Sequence, residues 1–277
     1  MTVGFFAPLP PARTGIADYA QALLKALKRH GQVDIAPERA DVNLYHLGNN
    51  QFHREIYERA LQEPGVIVLH DAVLHHFALG YFDRSRYMDE FVYNYGEWSR
   101  GLAASLWSSR GGSAADERYF RYGLLRRVVE RSLAVVVHNP AAAEAVRLQS
   151  RQARVVEIPH LLEQPKHRSD PQALRTSSLR AGVFGHLRES KRIMAVLRVM
   201  NRISSDGIEL VLAGECGSRD LERALHHFLK GNHVRRLGFL HGDDFWRVAE
   251  SSDVCINLRF PAAGETSGIM IRMMGIG

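Results

Sequence analysis

The sequence predicts an α/β protein of two doubly wound parallel sheets, one in each half of the chain. Short apolar, β-branched runs alternate with segments of helical periodicity from Val3 to Leu258. Parallel strands need such crossover helices between them. A polar stretch at 161–178, with Pro165 and Pro171, reads as a linker between two series of this kind. The 277 residues suit two domains at about 100–200 residues each.

Val3–Phe6 is a short buried strand, and Pro8, Pro10 and Pro11 then force a loop. Ala20, Leu23, Leu24 and Leu27 recur at i, i+3, i+4 and i+7, one apolar helix face. Thr14 suits its N-cap, Asp18 its first turn and Gly31 its stop. Val33–Ile35 and Val42–Leu47 are the next strands and 51–61 is a helix. Val66–Leu69 is a continuous apolar strand leading into His70–Asp71. Residues 84–132 are rich in Arg, Tyr and Trp, and Gly111–Gly112 divides them into two helical blocks. They read first as a helical insertion with a solvated basic face. Strand Ala134–Val137, helix 140–149 and strand Arg154–Ile158 complete a domain over 1–160.

After the linker come strand Ala181–Phe184, helix 190–203, strand Ile208–Leu212 and helix 218–229. Strand Val234–Leu237, helix 243–250 and strand Val254–Leu258 follow, giving a second domain over 179–277. Asp243–Asp244 read as acidic residues at a helix start rather than as a metal pair.

The net charge of +6 and the pI near 9.5 favour polyanions: nucleic acid, an anionic membrane face or phosphorylated ligands. No apolar run approaches the roughly 18–20 residues of a membrane span. No basic n-region precedes an apolar stretch at the start, so a secretory leader is not expected. Cys216 and Cys255 lack metal or redox spacing and fit a reducing compartment. There is no G-x-G-x-x-G after the first strand and no Walker A lysine.

Ligands of doubly wound sheets bind beyond the C-terminal strand ends. That selects Pro8–Gly15, His70–Asp71, Gly185–Lys191, Gly214–Glu215 and Arg259–Gly268. Gly15 and Ile16 open a helix whose N-terminus can face an anion. His70 can hydrogen-bond a ligand hydroxyl or carbonyl. His75 and His76 diverge by about 100° around their helix, against a shared metal. In GHLRESKR, Arg188, Lys191 and Arg192 crowd a helix start, where cations oppose the dipole unless an anion sits nearby. In AGETSG, the Thr266 and Ser267 hydroxyls before Gly268 suit a phosphate, whereas Glu265 suits sugar hydroxyls; the plain alternative is a capped turn.

Taken in order, several pieces resemble the retaining family-4 glycosyltransferases of the GT-B fold. They are PLPPARTGIADYAQALLKAL, NLYHLGNN, GVIVLHDAVLHHF, VVVHN, VFGHLRESKR, LVLAGE and INLRFPAAGETSG. The resemblance implies two Rossmann-like domains facing a cleft, with a nucleotide-diphospho-sugar donor and no required metal or other cofactor. It implies transfer with retention to a glycan, lipid-linked or other hydroxyl acceptor. Lys191, Glu265 and His70 match the family's catalytic positions: Lys191 the diphosphate lysine, Glu265 the first acid of Glu-x7-Glu, His70 the strand-end histidine. Gly15, Ile16, Asp71, Gly185, His186, Arg188, Gly214, Glu215, Thr266, Ser267 and Gly268 fall in donor-binding segments. His186 stands where the family has an arginine, with Arg188 two residues on, and Met273 stands in place of the second acid.

The resemblance also implies a cytoplasmic protein with no nucleic-acid partner, and it leaves room for peripheral membrane contact through 84–132. Family members continue past the last helix with another strand and further helices. The expectation is therefore a C-terminally truncated chain with an incomplete second domain. A different class fits the departures at His186 and Met273: a non-catalytic module binding nucleotide-sugars or polyanions.

Overall fold

The computed structural model describes residues 1–162, 179–203, 207–229 and 233–276. The expected linker at 161–178 lies outside these but for its first two residues. The chain forms two units, Met1–Leu161 with Ala262–Thr266, and Leu162–Pro261 with Ser267–Gly277.

In the first unit β1 (Thr2–Phe6), β2 (Gln32–Ile35), β3 (Val42–Leu47), β4 (Val66–Leu69), β5 (Ala134–Val137) and β6 (Val155–Glu157) form one sheet. All its pairs are parallel, in the order β2-β1-β3-β4-β5-β6. The helices are α1 (Gly15–Leu27), α2 (Arg54–Gln62), α3 (His75–Tyr81), α4 (Arg84–Tyr95), α5 (Arg100–Ser108), α6 (Arg118–Arg121), α7 (Arg126–Glu130) and α8 (Pro140–Gln149). The order reverses between β1 and β3, which makes that crevice the switch point of the sheet. Both faces are covered, as parallel strands require. Phe5 and Val33 pack with Ala20 and Leu24 of α1. Tyr45, Ile67 and Val135 pack with residues of the other helices. Thr14 caps α1 as expected, its side chain accepting from the Ile16 N–H.

The segment 84–132 holds four helices, α4 to α7, rather than two blocks. The expected break is a 3₁₀ turn at Arg110–Gly112; others fall at Gly96, with φ 87°, and between Arg121 and Arg126. Its aromatics Tyr87, Phe91 and Tyr119 belong to the core. Its arginines are laced with acids, in the pairs Arg86–Glu58, Arg100–Glu97, Arg118–Asp116, Arg121–Glu117, Arg126–Glu130 and Arg127–Glu90. Apolar content here serves packing, and the basic face is partly neutralised. Among the described residues no helix is long and apolar enough to cross a membrane.

In the second unit β7 (Leu179–Phe184), β8 (Ile208–Ala213), β9 (Val234–Leu237) and β10 (Val254–Cys255) are parallel, in the order β10-β7-β8-β9. Its helices are α9 (Ile193–Arg202), α10 (Arg219–Phe228), α11 (Gly242–Glu250) and α12 (Gly268–Ile276). The switch point lies between β7 and β10.

Two elements of this unit differ from the sequence reading. The strand expected over 254–258 pairs only at Val254–Cys255. Ile256 N–H still donates to Gly182 O, but the Phe260 N–H donates to Ser190 O, drawing the chain off the sheet. The helix expected from 190 begins at Ile193, because Glu189–Lys191 is a 3₁₀ turn and Arg192 has left-handed backbone, φ 57°. Asp243 and Asp244 occupy the first turn of α11, as expected.

Candidate functional site

In the first unit, histidines gather at successive strand ends. His46 lies on β3, His70 follows β4, His138 follows β5 and His160 lies just past β6. All four rings pack around Tyr19 of α1, with ring centroids 5.9, 4.9, 5.1 and 4.9 Å from its own. His46 Nδ1 and His70 Nε2 are 3.0 Å apart. Burial, reinforced by the neighbouring imidazoles, pushes His46 down to about 3 and His70 well below its ordinary range. Burial also lowers His138 and raises Tyr19 to about 12. His46 and His70 are therefore neutral at physiological pH, and His70, 8% exposed, can offer a hydrogen bond without charge.

Around it, Asp71 Oδ2 accepts from the Asn49 N–H at 2.7 Å, tying the loops after β3 and β4 together. Gly15 and Ile16 form the start of α1, and a Cβ at Gly15 would meet no protein atom within 4 Å. The segment Ala262–Thr266 belongs to this unit. Asn139 caps α8 through Oδ1, and its Nδ2 donates to Gly264 O at 3.1 Å and to Thr266 Oγ1 at 2.9 Å. Gly264 adopts φ 70°, and a Cβ there would lie 2.7 Å from Ala72 Cβ, so only glycine fits this approach. Glu265 Oε2 accepts from the Ala263 N–H at 2.7 Å, which orients the carboxylate within its own turn.

In the second unit the loops flanking the switch point carry cations. Lys191 is buried, and its ammonium donates back to Phe184 O at the end of β7. Burial first, then the charges of Arg259 and Arg188, bring it down from 10.5 to about 7. No carboxylate pairs with Lys191 among the described residues. Arg259 Nη2 donates to Ser267 Oγ at 3.2 Å, and Ser267 Oγ accepts from the Met270 N–H in the first turn of α12, which starts at Gly268. The Ser267 hydroxyl is therefore engaged as a helix cap, and that of Thr266 by Asn139. Gly185 and His186 follow β7 half-buried, and the exposed Arg188 leads into the 3₁₀ turn. Glu215 O accepts from the Leu187 N–H, and Gly214 presses so closely that a Cβ would lie 2.2 Å from Gly185 O. Met273 packs beside Phe184, Phe245 and Trp246, in a setting made for an apolar side chain.

The sequence residues thus fall into two sets. His70, Asp71, Gly15, Ile16, Glu265 and Thr266 belong to the first unit, and Lys191, Gly185, His186, Arg188, Gly214, Glu215, Ser267 and Gly268 to the second. Sequence reasoning missed Tyr19, His46, His138, His160, Asn139 and the charge of Arg259. The strand-end rule that found His70 finds His46 and His138 too, once applied to every strand. Among the described residues no group of three or more His, Cys, Asp or Glu is arranged to hold a metal ion.

No family model matches the chain, and no curated protein matches it. Solved structures do. Sucrose-phosphate synthase (tll1590) from Thermosynechococcus elongatus aligns at a TM-score of 0.66 and 14% identity, over 100% of this chain and 79% of that one. HepE (Alr3699) of Anabaena, solved with UDP and glucose, aligns at 0.51 and 13% identity, over 92% and 73%. The catalytic domain of starch synthase IV from Arabidopsis thaliana, bound to ADP and acarbose, aligns at 0.51 and 15%, over 98% and 80%. The likeness shows the fold: the chain has the two parallel-sheet, Rossmann-like units of the GT-B architecture.

Proposed function

We propose that the protein is a retaining, metal-independent glycosyltransferase of family-4 type, using a nucleotide-diphospho-sugar donor. The observation that carries the reading is Lys191, a buried lysine at the switch point of the second unit with cations rather than a carboxylate for company. Such a group is held against its own charge unless an anion arrives. In the first unit, neutral His70 suits sugar hydroxyls, which need hydrogen bonds and no counter-charge. Structural neighbours solved with UDP and glucose, or with ADP and acarbose, support the same class.

On this reading the bond from the anomeric carbon to the phosphate oxygen breaks, and a bond from that carbon to the acceptor hydroxyl oxygen forms on the same face. The acceptor proton passes to the departing diphosphate. Lys191, with Arg259 and Arg188, meets the charge that develops on the phosphate, a contribution usually the largest in catalysis. Gly185, His186, Gly214, Glu215, Ser267 and Gly268 shape the loops that receive the nucleotide. His70, Glu265 and Thr266 orient the sugar, and Asp71, Gly15 and Ile16 shape the wall beside it. The acceptor is a glycan, a lipid-linked glycan or another hydroxyl compound, met in the cytoplasm or at a membrane face reached through 84–132.

Incubation with a panel of nucleotide-sugars and acceptors tests this. Release of nucleoside diphosphate, lost in Lys191→Ala, is the expected result. Tight nucleotide binding with no release from any donor would replace the reading with a non-catalytic binding module, which the apolar setting of Met273 also fits. Sedimentation with anionic liposomes tests the membrane contact separately.

A further inference from the structure

His46 is fully buried on β3, with its Nδ1 3.0 Å from His70 Nε2 and its own Nε2 without a partner among the described residues. Both rings are neutral, so one nitrogen of the close pair carries the hydrogen and the other accepts it. Two arrangements exist. Either His46 Nδ1–H donates to His70 Nε2, or His70 Nε2–H donates to His46 Nδ1.

The unpartnered His46 Nε2 decides between them. In the second arrangement it is a buried N–H with no acceptor. In the first it is a bare lone pair. Orphaned buried N–H groups are rarer than under-used acceptors. Neighbouring histidines show which state this unit tolerates. His53 Nδ1 lies 2.8 Å from His46 O, and His138 Nδ1 lies 2.9 Å from Ile158 O. A carbonyl only accepts, so both rings carry their hydrogen on Nδ1. Both leave a buried, bare Nε2 without a partner. His46 fits the same pattern.

We infer that His46 is a positioning residue: its Nδ1–H donates to His70 Nε2 and holds His70 as the Nδ1–H tautomer, an N–H donor toward its ligand. His70 is 8% exposed, and no protein acceptor for its Nδ1 is found among the described residues. The ligand atom it meets is then a hydrogen-bond acceptor, such as a sugar hydroxyl oxygen; that last step rests on the glycosyltransferase reading. Phe5, whose ring centroid lies 4.8 Å from that of His46, and Tyr19 keep His46 from turning away.

Nitrogen NMR of the histidine-labelled wild-type protein tests the pair without any variant. The expected spectrum has His46 and His70 protonated on Nδ1 and bare on Nε2. His70 protonated on Nε2 would overturn the inference. Two variants extend the test: His46→Asn keeps an N–H donor near the same place, whereas His46→Leu removes it. The first should preserve the His70 tautomer and turnover. The second should mix the tautomers and raise KM for the donor about tenfold, with kcat little changed, as one lost neutral hydrogen bond predicts. An unmixed tautomer and unchanged KM in folded His46→Leu would refute the positioning role. The expected tautomers in a protein that turns over no nucleotide-sugar would instead support the pair and remove the enzymatic reading.

Discussion

Binding of a nucleoside diphosphate is expected to take up a proton at Lys191. Burial, with Arg259 and Arg188 adding to it, brings this lysine from 10.5 to about 7. That displacement amounts to about 5 kcal/mol against the charged form. A phosphate charge roughly 4 Å away returns about 4 kcal/mol at an effective dielectric near 20. The two nearly cancel, so the bound state holds the ammonium protonated well above pH 8. In the free protein at pH 8 roughly one molecule in ten carries this proton, so binding takes up ~0.9 proton, against ~0.1 at pH 6. Calorimetry of UDP binding in two buffers of different ionisation enthalpy reads the number directly. The terminal phosphate titrates near pH 6 itself, which makes pH 8 the deciding condition. Lys191→Arg keeps the charge and removes the titration, so uptake should vanish. Binding to the wild type at pH 8 with less than about 0.2 proton taken up would refute Lys191 as the diphosphate's partner.

Lys191→Met should stabilise the unliganded fold. The unfolded chain binds the Lys191 proton more tightly between about pH 7 and 10.5, so wild-type stability rises with pH across that window. The variant's gain should therefore be largest below pH 7 and fade toward 10.5, as urea midpoints measured along a pH series would show. Gly214→Ala drives a Cβ against Gly185 O at φ 150°. It should cost about 1–3 kcal/mol and weaken nucleotide binding together with thermal stability. Asn139→Ala removes a cap and both bonds to the 262–266 loop. A loss of about 2 kcal/mol is expected, with faster amide exchange at Glu265 than in the wild type. Acid should unfold the protein early. His46, His53 and His75 fall to about 3, 4 and 3 when folded, so the unfolded state binds more protons as pH drops below 6.5. Their combined cost reaches on the order of 5 kcal/mol by pH 5, which circular dichroism would detect as a falling urea midpoint.

The fold was legible because its signals are local. The apolar run Val66–Leu69 belongs in a parallel sheet covered on both faces, and Thr14 sits where a cap sits. Legibility failed where distant partners decide. Phe260 leaves the sheet because its N–H finds Ser190 O, 70 residues earlier, and no pattern within 254–258 signals that. Lys191 was legible as a cation near a helix start. Its burial was not, because the 3₁₀ turn and the left-handed Arg192 that fold it back onto Phe184 O depend on the packed loop. Met273 has a local reason as well: a carboxylate there would enter the apolar cluster of Phe184 and Trp246.

In a chain with net charge +6, the first unit keeps His46 and His70 neutral at its strand ends. On the proposed reaction the sugar ring gains positive character as its bond to phosphate breaks. A protonated imidazole facing that carbon would oppose the charge and raise the barrier. Neutral rings give hydrogen bonds and no such opposition. Burial does most of this, since His46 and His70 are depressed first by desolvation and then by neighbouring imidazoles. His46 and His138 pack against His70 and lower it further, which gives them a role in the chemistry although neither needs to touch the ligand.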